Sequence, residues 1–146
     1  MNALGLQLIL ELRECNALLL DDLNFLRDNL IAAALSMGAT IVGQTFHKFS
    51  PQGVTGVVAI AESHLCIHTW PEYCYAALDI FSCSEEFDCH GTAQLLVSKL
   101  EAKDYSITEL KRGFLSQLAG TTDKRAKFQR FPVHVKVTKW SGVMNQ

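Results

Sequence analysis

Between Ile60 and Tyr73 the chain reads Ile-Ala-Glu-Ser-His-Leu-Cys-Ile-His-Thr-Trp-Pro-Glu-Tyr, which sets a serine, two histidines, a thiol and two carboxylates in one short apolar stretch. A strand built only for packing would carry Val, Ile and Thr there, because each polar group taken out of water needs a partner. These groups can do chemistry on the chain itself. A serine hydroxyl that follows a carbonyl, as Ser63 follows Glu62, can attack it and turn the peptide bond into an ester. Base-promoted elimination from that ester breaks the chain and leaves a pyruvoyl group where Ser63 stood. Such a ketone forms a Schiff base with a substrate amine and draws off electrons as carbon dioxide leaves, as pyridoxal phosphate does.

The elements that must position these groups follow from periodicity. Leu4, Leu6, Leu8, Leu10 and Leu12 alternate with Gly5, Gln7, Ile9 and Glu11, which predicts a first strand with one buried face. Asp21 or Asp22 can cap a helix with Leu23, Leu26, Leu30 and Met37 on one stripe, ending at Gly38. Alternation resumes over 39–49, with Ile41, Thr45, His47 and Phe49 near one face and Val42, Phe46 and Lys48 on the other. Further strands are expected at 54–61, 64–70 and 75–83, divided by turn residues at Pro51-Gln52-Gly53 and Pro71-Glu72. A helix is expected from Asp88 through Lys103, then strands at 105–111 and around Val133, Val135 and Val137. Connections this short force antiparallel neighbours. The predicted fold is α+β, a two-layer α/β sandwich with a mainly antiparallel sheet covered on one face by helices.

Composition bounds the function. A chain of 146 residues that is 49% hydrophobic and 19% charged suits one domain with a proper core. A net charge of −2 provides no basic field for nucleic acid or an anionic membrane. No run of 18 apolar residues and no secretion signal is evident, so a cytoplasmic location with five reduced cysteines is expected. Small-molecule substrates are favoured.

Glu62-Ser63-His64 followed by Ile67-His68-Thr69-Trp70-Pro71-Glu72 resembles the proenzyme of prokaryotic S-adenosylmethionine decarboxylase. The segments Gly38–Val42, Thr45–Phe49, Gly53–Val58 and Tyr75–Cys83 extend the resemblance over about Leu4 to Gly113. It implies self-cleavage between Glu62 and Ser63 into a β chain of residues 1–62 and an α chain of residues 63–146, with a pyruvoyl cofactor made from Ser63. It further implies that His68 is the processing base, that Thr55 supplies a hydroxyl to the acyl shift where serine is usual, and that Cys83 returns a proton to the substrate carbon. Phe49 would stack on adenine, Glu72 would hold the ribose hydroxyls, and Trp70 could face the sulfonium by cation–π attraction. The product would feed spermidine synthesis, and a homodimer of cleaved protomers is implied.

Other readings compete. His64, Cys66 and His68 alternate along one strand face, a spacing that could hold zinc with Cys83 or Cys89 as a further ligand, yet no motif demands a metal. Pyruvoyl chemistry on arginine or ornithine would need a carboxylate for the distal cation instead of a nucleoside pocket. A non-catalytic homologue would be expected to lose Ser63 or His68, and both are retained. Cys74 and Ser84 stand where the family pattern has glycine, so either the backbone needs no positive φ there or its geometry has shifted. Residues 114–146 form a divergent extension. Its basic run at 123–130 reads as solvated, and Phe128 and Phe131 suggest that the tail folds back onto the domain or a partner subunit.

Overall fold

The computed structural model describes residues 2–115 and the backbone of 135–140. The basic run with Phe128, Phe131 and Val133 lies outside the described residues. Seven strands, β1 (Ala3–Arg13), β2 (Ile41–Lys48), β3 (Val54–Ile60), β4 (Ser63–Trp70), β5 (Tyr75–Ser82), β6 (Asp104–Phe114) and β7 (Val135–Trp140), form one sheet in the order β2-β3-β4-β5-β1-β6-β7. Every neighbouring pair is antiparallel. This is the expected α+β sandwich. β7 lies beyond Gly113 and pairs with β6, so part of the extension does return to the domain.

Among the described residues three α-helices accompany the sheet: α1 (Ala17–Leu20), α2 (Leu23–Ser36) and α3 (Cys89–Lys99). Among them α2 packs on β2 and β3, and α3 on β1 and β5. On that face Leu8, Leu10, Leu12, Val54, Val58, Leu65, Ile67 and Ile80 are buried with Leu26, Leu30, Ala93 and Leu96. The one-turn α1 has no periodic signature in the sequence; Asn16 caps it, its side chain accepting from Leu18 N–H at 3.0 Å.

Local rules set the boundaries of α2. Asp22, not Asp21, is its cap and accepts from Phe25 N–H at 3.0 Å, while Asp21 accepts from Gly53 N–H at 2.9 Å and pairs with Lys48. Gly38 at φ +87° closes α2 with bonds from its own N–H to Leu35 and from Ala39 N–H to Ala34.

Two expectations are corrected. The second long helix stops at Lys99, short of Lys103, because Glu101 adopts φ +54° and the Glu101 and Ala102 amides turn back onto Ser98 and Val97. A bulge between Ile41 and Gly43 breaks the alternation of β2. Ile41 therefore packs against the core with Phe46, and not on the face of Thr45 and His47.

The other face of the sheet carries no helix among the described residues. In β4, Leu65, Ile67 and Thr69 are buried towards the helices, which leaves His64, Cys66 and His68 on the open face. Asp79 on β5 is opposite Cys66, and Thr55 on β3 is opposite His68.

Candidate active site

Two clusters of functional groups stand at the two ends of β4. At its start, Ser63 pairs with Ser82, and Cys83 follows just past the end of β5, not within it as expected. The Cys83 N–H donates to the Glu62 carbonyl oxygen at 3.0 Å. That carbonyl belongs to the bond a Ser63 hydroxyl would attack, so an amide dipole already draws on the oxygen that would gain charge. Ser63 has φ +149°, a region that L-residues rarely occupy and that costs on the order of 1–3 kcal/mol. Backbone strain therefore sits at the Glu62–Ser63 junction.

The same end holds a hydrogen-bonded chain. Ser63 Oγ lies 3.4 Å from His64 Nδ1, and His64 Nε2 lies 2.8 Å from Asp79 Oδ2. The Asp79 oxygen also accepts from Gln7 Nε2 at 3.4 Å, and Gln7 Oε1 accepts from Arg112 Nη1 at 3.0 Å. Sequence reading missed Asp79 as a partner of His64; the signal would have been that His64 falls on the Asp79 side of the sheet once β4 and β5 are put in register.

At the far end of β4, the Thr55 hydroxyl and His68 Nδ1 are 3.0 Å apart, joined across β3 and β4. Phe49 lies edge-on to His47, with ring centres 4.6 Å apart, and His47 is the β2 partner of Thr55. Trp70 ends β4 and tilts against Tyr75 at 5.4 Å. Glu72 is exposed in the 3₁₀ turn Pro71–Tyr73 that follows. Thus Thr55, His68, Phe49, Trp70 and Glu72 gather at one end, and Glu62, Ser63 and Cys83 at the other. Ser63 and His68 are five residues apart along the strand, roughly 17 Å at 3.3 Å per residue.

The zinc reading does not match this arrangement. His68 is engaged by Thr55, and Cys89 is buried in α3. His64, Cys66 and Asp79 do bring nitrogen, sulfur and oxygen within 4.8 Å of one another. However, His64 and Asp79 already bond each other, and burial, with the Asp79 charge, pushes the Cys66 thiol up to about 11. The trio is thus a hydrogen-bonded pair with the Cys66 thiol beside it.

Cys74 sits at φ +49°, so the left-handed conformation that glycine would favour is kept here by a residue with a side chain. This overturns the idea that no positive φ is needed at Cys74, whereas Ser84 has none.

Comparison with known proteins identifies the family. The sequence profile of the S-adenosylmethionine decarboxylase family matches residues 6–113. An S-adenosylmethionine decarboxylase proenzyme from Thermodesulfovibrio yellowstonii is 48% identical over 116 residues, covering 80% of this chain and 86% of that protein. One from Thermotoga maritima is 43% identical over 127 residues, covering 87% and 98%. The crystal structure of the adenosylmethionine decarboxylase from Aquifex aeolicus superposes with a TM-score of 0.72 at 30% identity, covering 76% of this chain and 92% of that one. With this profile match, these identities and a shared fold, the chain belongs to the S-adenosylmethionine decarboxylase family.

Proposed function

We propose that this chain is a proenzyme that cleaves itself between Glu62 and Ser63 and then decarboxylates S-adenosylmethionine, giving the aminopropyl donor for spermidine synthesis. The observation that carries the reading is the Glu62–Ser63 junction, where a strained Ser63 at φ +149° meets a carbonyl held by the Cys83 amide. Residues 1–62 and 63–146 would stay one domain after the cut, because β3 and β4 pair on either side of it from Ile60↔Ser63 to Thr55↔His68.

Ser63 would be the source of the prosthetic group: it directly follows the Glu62 carbonyl, whose oxygen accepts from the Cys83 N–H. Once formed, the pyruvoyl group supplies an electron sink for the carbanion left by carbon dioxide. The exposed Cys83 thiol would return a proton to the substrate carbon. A role for a reduced thiol favours the cytoplasm. Among the described residues no helix is long and apolar enough to cross a membrane.

The roughly 17 Å between Ser63 and His68 supports a homodimer. Two copies related by a twofold axis, open faces together and β4 strands opposed, would set His68 and Thr55 of one copy beside Ser63 of the other. Phe49 and Glu72 would then receive the adenine and ribose in the same shared site.

Intact mass of the purified protein, with carbon dioxide release from S-adenosylmethionine, arginine and ornithine measured side by side, tests this reading. Two fragments with turnover of the nucleoside substrate are expected. Two fragments active only on arginine or ornithine would move the substrate, and one inert chain would overturn self-cleavage.

A further inference from the structure

We propose that His64 is the base of the first half of processing, taking the Ser63 hydroxyl proton, and that Asp79 is the positioning residue that holds its ring. This rests on the self-cleavage reading above and adds a second histidine with its own step. Ionised carboxylates only accept hydrogen bonds, so the 2.8 Å contact with Asp79 assigns the ring proton to His64 Nε2. Nδ1 is then left as an acceptor, and it is the atom 3.4 Å from Ser63 Oγ. The remaining histidine of the strand, His68, is some 17 Å away along the same chain.

The ring is held from several sides. Asp79 comes from β5, its oxygen is shared with Gln7 on β1, and Gln7 is held in turn by Arg112 on β6. Phe81 flanks the imidazole at 5.8 Å between ring centres. Gly5 leaves room for the Phe81 ring, since a Cβ there would meet it at 2.5 Å. Three neighbouring strands therefore fix one imidazole against the hydroxyl that must be activated.

The step balances within the chain. As Ser63 Oγ bonds to the Glu62 carbonyl carbon, its proton passes to His64 Nδ1, while the Cys83 amide bonds the developing oxyanion. The imidazolium then gives that proton to the Ser63 nitrogen as the carbon–nitrogen bond breaks. The product is an ester with a free amine, and His64 returns to its starting form. Removal of the Ser63 α-proton belongs to the later elimination and to His68.

The test follows self-cleavage by intact mass in purified wild-type, His64→Ala and Asp79→Asn proteins. His64→Ala is expected to cleave at least about a hundredfold more slowly, to resist hydroxylamine because no ester has formed, and to recover when imidazole is added. Asp79→Asn is expected to slow less and to ignore imidazole. A folding defect would not respond to imidazole, and thermal melts monitor the fold. If His64→Ala does not melt cooperatively, His64→Gln takes its place and is expected to remain uncleaved and hydroxylamine-resistant. Wild-type cleavage rates, hydroxylamine-sensitive chains or a folded His64→Ala protein that imidazole cannot restore would overturn the assignment. A wild-type chain that never cleaves would overturn the self-cleavage reading instead.

Discussion

Ser63 and His68 lie on the same strand but at its opposite ends, with Thr55 bonded to His68 and Cys83 bonded to the residue before Ser63. Groups so far apart do not meet within one copy of the sheet, and the proposed homodimer would bring them together. Mixing Ser63→Ala and His68→Ala proteins under conditions that exchange subunits is therefore expected to restore cleavage. Only the His68→Ala chain, which keeps its serine, should be cut, and intact mass separates the two. Absence of any cleavage in exchanged dimers would place the second group within one chain.

Thr55 presents its hydroxyl to His68 at 3.0 Å despite the added methyl group. Thr55→Val keeps the shape and removes the donor, so cleavage should slow by about a hundredfold, the order found when one oxyanion donor is lost. Thr55→Ser should cleave at least as fast as the parent. A Thr55→Val protein that processes normally would show that the hydroxyl only orders the ring.

Much of the scaffold was legible in the sequence because its signals are local. Leucine alternation marks β1, and Asp22 and Gly38 bracket α2. What was not legible depended on residues acting against type. Glu101 ends α3 in a conformation usually given to glycine, and the bulge between Ile41 and Gly43 in β2 turns Ile41 inward although the residues on either side continue an alternating pattern. In the site, the Thr55–His68 and His64–Asp79 pairs exist only through strand register, which a run of residue types does not specify. The separation of Ser63 from His68 was implicit in a five-residue spacing, but shared membership of one motif concealed it.

Cys74 holds φ +49° with a Cβ that glycine would not carry. Its amide caps the preceding turn by bonding Pro71 at 3.0 Å, and its carbonyl accepts from Cys15 N–H at 2.9 Å, so this backbone is fixed on both sides. Cys74→Gly should relieve about 1 kcal/mol of strain and raise the melting temperature by about 2–4 °C. Calorimetry of the two proteins decides it; a lower melting temperature would mean that the Cys74 side chain contributes packing worth more than the strain.

The thiols should differ in reactivity in a way that sets Cys83 apart from Cys15, Cys66 and Cys89. Thiolate is the attacking form, and burial disfavours it, so raised pKa values delay reaction to higher pH. Burial pushes Cys15 up to about 11, with the neighbouring Cys74 adding to the shift, and Cys66 likewise to about 11 with help from Asp79. Cys89 is raised in the same direction. At pH 8 the thiolate fraction of a group at about 11 is roughly one in a thousand, and it climbs about tenfold with each pH unit until the pKa is reached. Cys83 is exposed and open to the reagent. Iodoacetamide at pH 8 is therefore expected to modify Cys83 ahead of Cys15, Cys66 and Cys89, with loss of decarboxylation tracking that single modification in peptide mass spectra. S-adenosylmethionine should slow it by covering the site. Equal labelling of Cys66 at pH 8 would show that burial and Asp79 do not hold its thiolate back, and loss of activity without Cys83 labelling would remove Cys83 from the proton-return step.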